Sequence, residues 1–184
     1  MTAVNQQSQS QLETGTYGLD PIHSTAGFAV KHMVVATFRG RFEDFDAQFD
    51  VDANGEGKLV GTVKTDSIVV KDENLAAHLR SPEFFDTERY PELRFESVST
   101  TREGDELVVE GDLTIKDNTH RVTGRGAYVG PHVNIADKTG IGVTLETTID
   151  RTKFGLEWNA PLPKGGFALA NDVSLTIELE LIEG

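Results

Sequence analysis

Apolar and polar residues alternate along most of this chain. Phe28, Val30, His32 and Val34 share one parity, and Leu107, Val109, Gly111, Leu113 and Ile115 repeat the pattern further on. Ile141, Val143, Leu145, Thr147 and Ile149 follow it again, and Val173, Leu175, Ile177, Leu179 and Leu181 stand opposite Ser174, Thr176, Glu178 and Glu180. A period of two marks a strand with one buried face. Turn formers separate the runs, among them Asn54-Gly55, Gly104-Asp105, Lys116 to Thr119, Gly130-Pro131 and Gly165-Gly166. Strands at this spacing without helices between them predict an antiparallel all-β barrel or sandwich rather than a parallel α/β sheet. Parity slips between Phe42 and Phe45, and a bend there returns Phe45, Ala47, Phe49 and Val51 to the inner face. Glycines inside the strand patterns (Gly61, Gly111, Gly124, Gly126) favour the barrel, because closure needs coiling and close backbone approach.

One stretch breaks the alternation, from Asn74 to Phe95. Leu75, His78 and Leu79 fall at i, i+3 and i+4, one face of a short helix that Pro82 ends. Ser81-Pro82-Glu83 reads as a second helix start, with Ser as N-cap and Pro at the first helical position, and Tyr90-Pro91 stops it. Two short helical pieces are therefore expected to bridge two strands and cap one end of the barrel.

Composition narrows the classes. The 184 residues suit one domain, and 17 Lys+Arg against 30 Asp+Glu leave a net charge of −13, which repels nucleic acid and anionic membrane surfaces. Residues 1–15 are Gln/Ser-rich and read as a mobile tail before a single domain at 16–184. The absence of cysteine excludes disulfides, thiolate nucleophiles and Cys-ligated metal. Neither a signal-like leader nor a stretch of ~20 apolar residues is present, so a cytoplasmic protein without stable membrane insertion is expected.

Motifs for chemistry are weak. His23, His32, His78, His120 and His132 form no H-x-x-x-H or H-x-H pair, so no metal site is expected. G-x-S-x-G is missing, and "GRGAYVG" at Gly124 to Gly130 is not a nucleotide fingerprint. Paired carboxylates such as Glu43-Asp44 read as solvated turns, and no catalytic residue is assigned. His32, alone within an apolar parity set, is more often a satisfied core histidine than a polar group orienting a ligand in an apolar pocket.

Four segments, in order, carry a resemblance over most of the chain: "YGLDPIHSTAGFAVKHMVVATFRGRFEDFDAQFDVD", "HLRSPEFFDTERYPELRFES", "VEGDLTIKDNTHRVT" and "DRTKFGLEWN". They resemble the YceI-like family of polyisoprenoid-binding proteins. The resemblance implies a lipocalin-like, eight-stranded antiparallel β-barrel whose elongated lumen holds an isoprenoid chain such as a prenyl quinone or prenyl phosphate, in transport or storage. It implies no other cofactor, and a homodimer is a family expectation. It places His23 in the opening "D-x-x-H-S" and moves His32 and His78 toward the pocket or its mouth. Phe28, Val30, Phe38 and Phe95 on strands, and Trp158 in the last motif, become candidate ligand contacts. Leu75, Leu79, Phe84 and Phe85 become the closure of one barrel end, with His78 and Arg80 near polar groups or solvent. Two other readings stay open: a small lipid-modifying enzyme with His32 or His78 as acid or base, and a stress-linked scaffold with a side-chain-filled interior.

Overall fold

The computed structural model describes residues 11–184. In chain order its elements are β1 (Gly15–Leu19), β2 (Thr25–His32), β3 (Ala36–Phe42), β4 (Phe45–Val51), β5 (Gly57–Lys64), β6 (Ile68–Val69), α1 (Glu73–Arg80), β7 (Glu92–Glu103), β8 (Glu106–Ile115), β9 (Asn118–Val133), β10 (Thr139–Asp150) and β11 (Leu169–Glu183). All strand pairs are antiparallel, and β1 joins both β4 and β11, so the sheet closes on itself. The eleven strands make eight staves, because β1/β2, β3/β4 and β5/β6 are each one stave broken by a bend. The barrel expected from the alternation is the one observed.

Each bend has a local cause. Between β1 and β2 the Asp20 carboxylate accepts the backbone N–H of Ile22 and the Nδ1–H of His23, both at 2.9 Å. Ser24 then locks the kink to β11: the Glu180 N–H donates to its hydroxyl at 3.0 Å. The D-x-x-H-S motif thus builds a corner, and His23 belongs to the outer surface. The expected bend between Phe42 and Phe45 lies at Glu43-Asp44, where Glu43 N–H donates to the Ser67 carbonyl and Lys64 N–H to that of Asp44. A 3-10 turn at Thr65–Ser67 breaks the third stave, and buried Thr65 donates its hydroxyl to the Tyr90 carbonyl at 2.7 Å. Close strand approach elsewhere depends on Gly126, where a Cβ would stand 1.8 Å from the Thr144 carbonyl oxygen.

Three sequence expectations are corrected. α1 is the single α-helix among the described residues; the stretch from Pro82 to Tyr90 is a chain of turns. Ser81 serves as the C-cap of α1 and not as the start of another helix: its hydroxyl donates to the His78 carbonyl at 2.6 Å. The following N–H groups fold back, Phe85 to the Leu79 carbonyl and Thr87 to that of Arg80, so helical bonding does not propagate. Of the tail expected at 1–15, residues 1–10 lie outside the described residues, but Leu12 is buried in the core and the Gln11 carbonyl accepts from Arg102 at 2.9 Å. Gln11 and Leu12 therefore pack with the barrel. Finally, the Phe28 parity set stops at His32, because Met33 and Val34 take φ of 50° and 65° and turn the chain into β3.

Candidate functional site

Inward-facing side chains do not fill the barrel evenly. Tyr17, Phe49, Leu107, Val109, Tyr128, Ile141, Val143 and Leu181 form a packed cluster at one end. At the other end Phe42, Ile68, Leu79, Phe84, Phe85, Ile115, Ile149, Phe154 and Leu156 cluster around a cavity of about 690 Å³. Its floor is Ala47, Leu59, Val109, Leu145 and Leu179, where the packed half begins.

The walls follow from the strand parity. Phe28 and Val30 on β2, Phe38 on β3 and Phe95 on β7 all line the cavity. The Phe28 ring lies over Gly40 of the neighbouring strand, where a Cβ would stand 2.5 Å from it. It also meets Phe38 and Phe42, with centroids 6.1 and 5.9 Å away. Between β3 and β7 the wall is completed by α1 and the turns after it, which contribute Leu75, His78, Leu79, Phe84 and Phe85. Asp72 caps that helix by accepting the Leu75 N–H at 2.9 Å. Arg80 pins it to β6, donating to the Asp66 and Ile68 carbonyls at 3.1 and 3.2 Å. Within "HLRS", His78 faces the cavity, Leu79 the core, Arg80 the strand and Ser81 the cap.

Trp158 comes from the loop after β10 and packs on the helix side, its ring 4.9 Å from His78 and 5.4 Å from Phe84. The His78 imidazole meets both rings edge-on and is hydrogen-bonded through Nε2 to the Glu83 carboxylate at 2.6 Å. His32 is exposed at the rim and lines the cavity there, so it is not a satisfied core histidine. Beside it the rim carries apolar side chains open to solvent: Val34 and Val35 are 77% and 85% exposed, and Phe167 is 60% exposed. The residues expected from the sequence to contact a ligand thus all line one cavity, whereas His23 lies outside it and Arg80 turns to β6.

Sequence reasoning missed Arg151. It continues the inward parity of Leu145, Thr147 and Ile149 past the end of β10, which was the available signal. Its side chain is buried at 4% exposure and lines the cavity. Nε donates to the Ala170 carbonyl at 2.8 Å, and Nη1 to those of Leu156 and Trp158 at 2.6 and 2.9 Å. Arg151 therefore fixes the loop that carries Trp158. Burial draws its pKa below the ordinary arginine value, against the nearby Asp150 carboxylate. A guanidinium nevertheless stays charged at neutral pH.

Asp20, His23 and Glu180 place three donor atoms within 4.8 Å of one another, outside the barrel at the first kink. The group is accounted for by the corner it builds: hydrogen bonding to Asp20, then its charge, raises the pKa of His23, and the same bond lowers that of Asp20.

Fold and cavity together define a hollow, eight-staved antiparallel barrel with an apolar lumen open at one end. The chain belongs to the YceI-like family, whose domain model matches residues 17–181. A UPF0312 protein of Staphylococcus epidermidis is 34% identical over 167 residues, covering 89% of this chain and 95% of its own length. Among solved structures, Burkholderia cenocepacia BcnA superposes with a TM-score of 0.74 at 22% identity, over 88% of this chain and 98% of that one. A polyisoprenoid binding domain from Saccharophagus degradans, described as implicated in plant cell wall breakdown, gives a TM-score of 0.62 at 14% identity, over 91% and 98%. Among the described residues no helix is long and apolar enough to cross a membrane.

Proposed function

We propose that this protein binds one polyisoprenoid-type lipid, such as a prenyl quinone or prenyl phosphate, in the barrel lumen as a non-catalytic carrier or store. The observation that carries the reading is the cavity itself: about 690 Å³ lined by aliphatic and aromatic side chains. That volume falls within the ~300–1,000 Å³ usual for ligand sites. Each methylene moved from water into such a wall is worth ~0.8 kcal/mol, offset by the entropy of fixing the chain and of association. Family membership and the shared fold of the Saccharophagus domain support a branched, unsaturated chain as the cargo. A scaffold filled by its own side chains fits less well, because the packed cluster occupies only one end.

Native mass spectrometry of the purified protein should find an apolar ligand at one per barrel, and added prenyl lipids should bind after its extraction. Ala47→Phe, which puts a ring onto the cavity floor, should abolish that binding while the barrel stays folded. If neither wild type nor extracted protein holds any prenyl lipid, the reading fails. The enzyme alternative rests on the His78–Glu83 pair at the wall. It requires that His78→Ala lose turnover of a bound lipid while keeping its affinity, and the carrier reading expects no turnover in wild type.

A further inference from the structure

The mouth of the barrel carries a lip built from two turns: Met33 to Val35, between β2 and β3, and residues 160–168, ahead of β11. Backbone bonds join them, since the Met33 N–H donates to the Ala168 carbonyl at 2.8 Å and β2 pairs with β11 at His32 and Leu169. The second turn is closed by the Leu162 N–H on the Gly166 carbonyl and by a bridge between Pro161 and Phe167. Met33, Val34, Val35 and Phe167 stand exposed on this lip, while Ala36, Ala160 and Ala168 line the cavity just inside it. Val34 has φ of 65°, a left-handed conformation that Asn or Gly takes readily and a β-branched residue does not. An apolar side chain is thus held in water where the local backbone favours a polar one. Charge sets the lip apart as well. The chain carries 30 Asp+Glu, yet none falls between Asp20 and Glu43 or between Glu157 and Asp172, the two segments that contain these turns. Lys31 and Lys164 are exposed there, and neither forms an ion pair among the described residues. Carboxylates return on the helix side of the mouth, at Glu83 beside His78 and at Glu157 next to Trp158 in the chain.

From exposed apolar side chains set among unpaired cations around an apolar mouth, we infer that this lip docks on the surface of an anionic lipid bilayer, facing the lumen toward the membrane with which it exchanges cargo. The inference rests on the lipid-binding reading above, because a long apolar chain partitions into bilayers and has to be taken from one or given to one. Val34, Val35 and Phe167 enter the head-group layer, and Lys31 and Lys164 meet the lipid phosphates. Net charge orients the contact. At −13 the protein as a whole is repelled by an anionic surface, so the carboxylate-free lip is the part that approaches. The same repulsion keeps the docking weak and reversible, with no segment inserted across the bilayer. A second copy of the chain fits this lip less well, because a two-fold contact would set one basic lip against another.

The test is co-sedimentation of the full-length protein with phosphatidylcholine vesicles and with mixed phosphatidylcholine–phosphatidylglycerol vesicles, none of them containing prenyl lipid. Wild type should bind the mixed vesicles, and bind more weakly without the anionic lipid or at high salt. Lys31→Gln and Lys164→Gln should each weaken that binding about fivefold, the effect of one lysine at an anionic surface. Val35→Ser and Phe167→Ser should each weaken it about tenfold. Val34→Asn should weaken it too while leaving thermal stability unchanged or higher, because Asn suits the backbone there. Ile135→Ser, exposed on the β9–β10 turn at the packed end, should leave it unchanged. Absence of vesicle binding in wild type overturns the inference, as does binding that the lip variants leave intact or that Ile135→Ser weakens equally. Sedimentation velocity showing a dimer that Val35→Ser dissociates also overturns it, assigning the lip to a second copy. Prenyl lipid affinity is measured alongside in vesicle-free solution. Its absence overturns the lipid-binding reading, and its presence without vesicle binding overturns the docking inference alone.

Discussion

The two ends of the barrel are built from the same eight staves, yet one is solid and the other hollow. At the solid end Tyr17, Phe49 and Tyr128 reach into the core with almost no exposure, and Leu12 from the preceding segment packs with them. Arg102 covers this end, its guanidinium 4.3 Å from the centre of the Tyr128 ring. At the hollow end the aromatic residues lie against one another along the wall, as Phe28 does on Phe42 and Phe42 on Phe85. There the wall between β3 and β7 includes a helix and turns, whose side chains line the cavity. The difference teaches that a barrel of this size becomes a container by where its large side chains point, not by how many it has.

The contrast can be broken most forcefully by truncation. Leu107→Ala, at a position of 0% exposure in the solid half, should cost about 2–5 kcal/mol in urea unfolding, because packed neighbours cannot collapse into the hole. Phe38→Ala on the cavity wall should cost less than about 2 kcal/mol in ligand-free protein, since its ring already lacks partners on one side. Equal losses would mean that the two interiors are energetically alike.

Ligand sharpens the same contrast. At a free concentration of 100 times Kd, a prenyl lipid should stabilise the protein by about 2.7 kcal/mol. Hydrogen exchange should then slow in α1 and in the turns that follow it, and stay unchanged around Leu107. A smaller effect is expected from Asp72→Ala, which removes the helix cap and should cost about 1 kcal/mol, with faster exchange confined to α1.

The smallest expected effect concerns the corner outside both interiors. His23, its pKa raised by the Asp20 hydrogen bond, stabilises the fold below its unfolded pKa, and the contribution is lost as pH rises through the folded value. Asp20, its pKa lowered, stabilises above its unfolded pKa and loses that contribution as pH falls through the folded one. The pair therefore helps most in mildly acidic solution, and NMR titration should place His23 above the ordinary histidine value of about 6.5. Asp20→Asn should lower it toward that value, Glu180 still acting on it, without changing lipid affinity.

Much of this was legible in the amino-acid pattern. Alternation assigned the inward faces of β8, β10 and β11, and the helical spacing of Leu75, His78 and Leu79 placed α1. What alternation does not encode is depth. Ile141 and Val143 sit in the solid half, while Leu145, Thr147 and Ile149 on the same face of the same strand line the cavity. Whether an inward residue meets a neighbour depends on the summed reach of all eight staves, which no single run contains. Arg151 was missed for a related reason: it follows the strand parity but carries the wrong polarity for a core position. The second helix failed because Ser81 and Pro82 satisfy the rules for starting a helix, while their N–H neighbours found carbonyls in α1 first.

The closure of the ring also has a meaning in time. β11 pairs with β10, its neighbour in sequence, but its other edge must find β1 and β2, as in the contact between Ser24 and Glu180, 156 positions apart. Such a distant pairing forms slowly, after the neighbouring hairpins have zipped. Until it does, the chain is a curled ribbon with two raw edges and a wet apolar face, the form most exposed to sticking to its own kind. No hairpin holds a compartment by itself. The container comes into being in one step, when its two most distant staves meet.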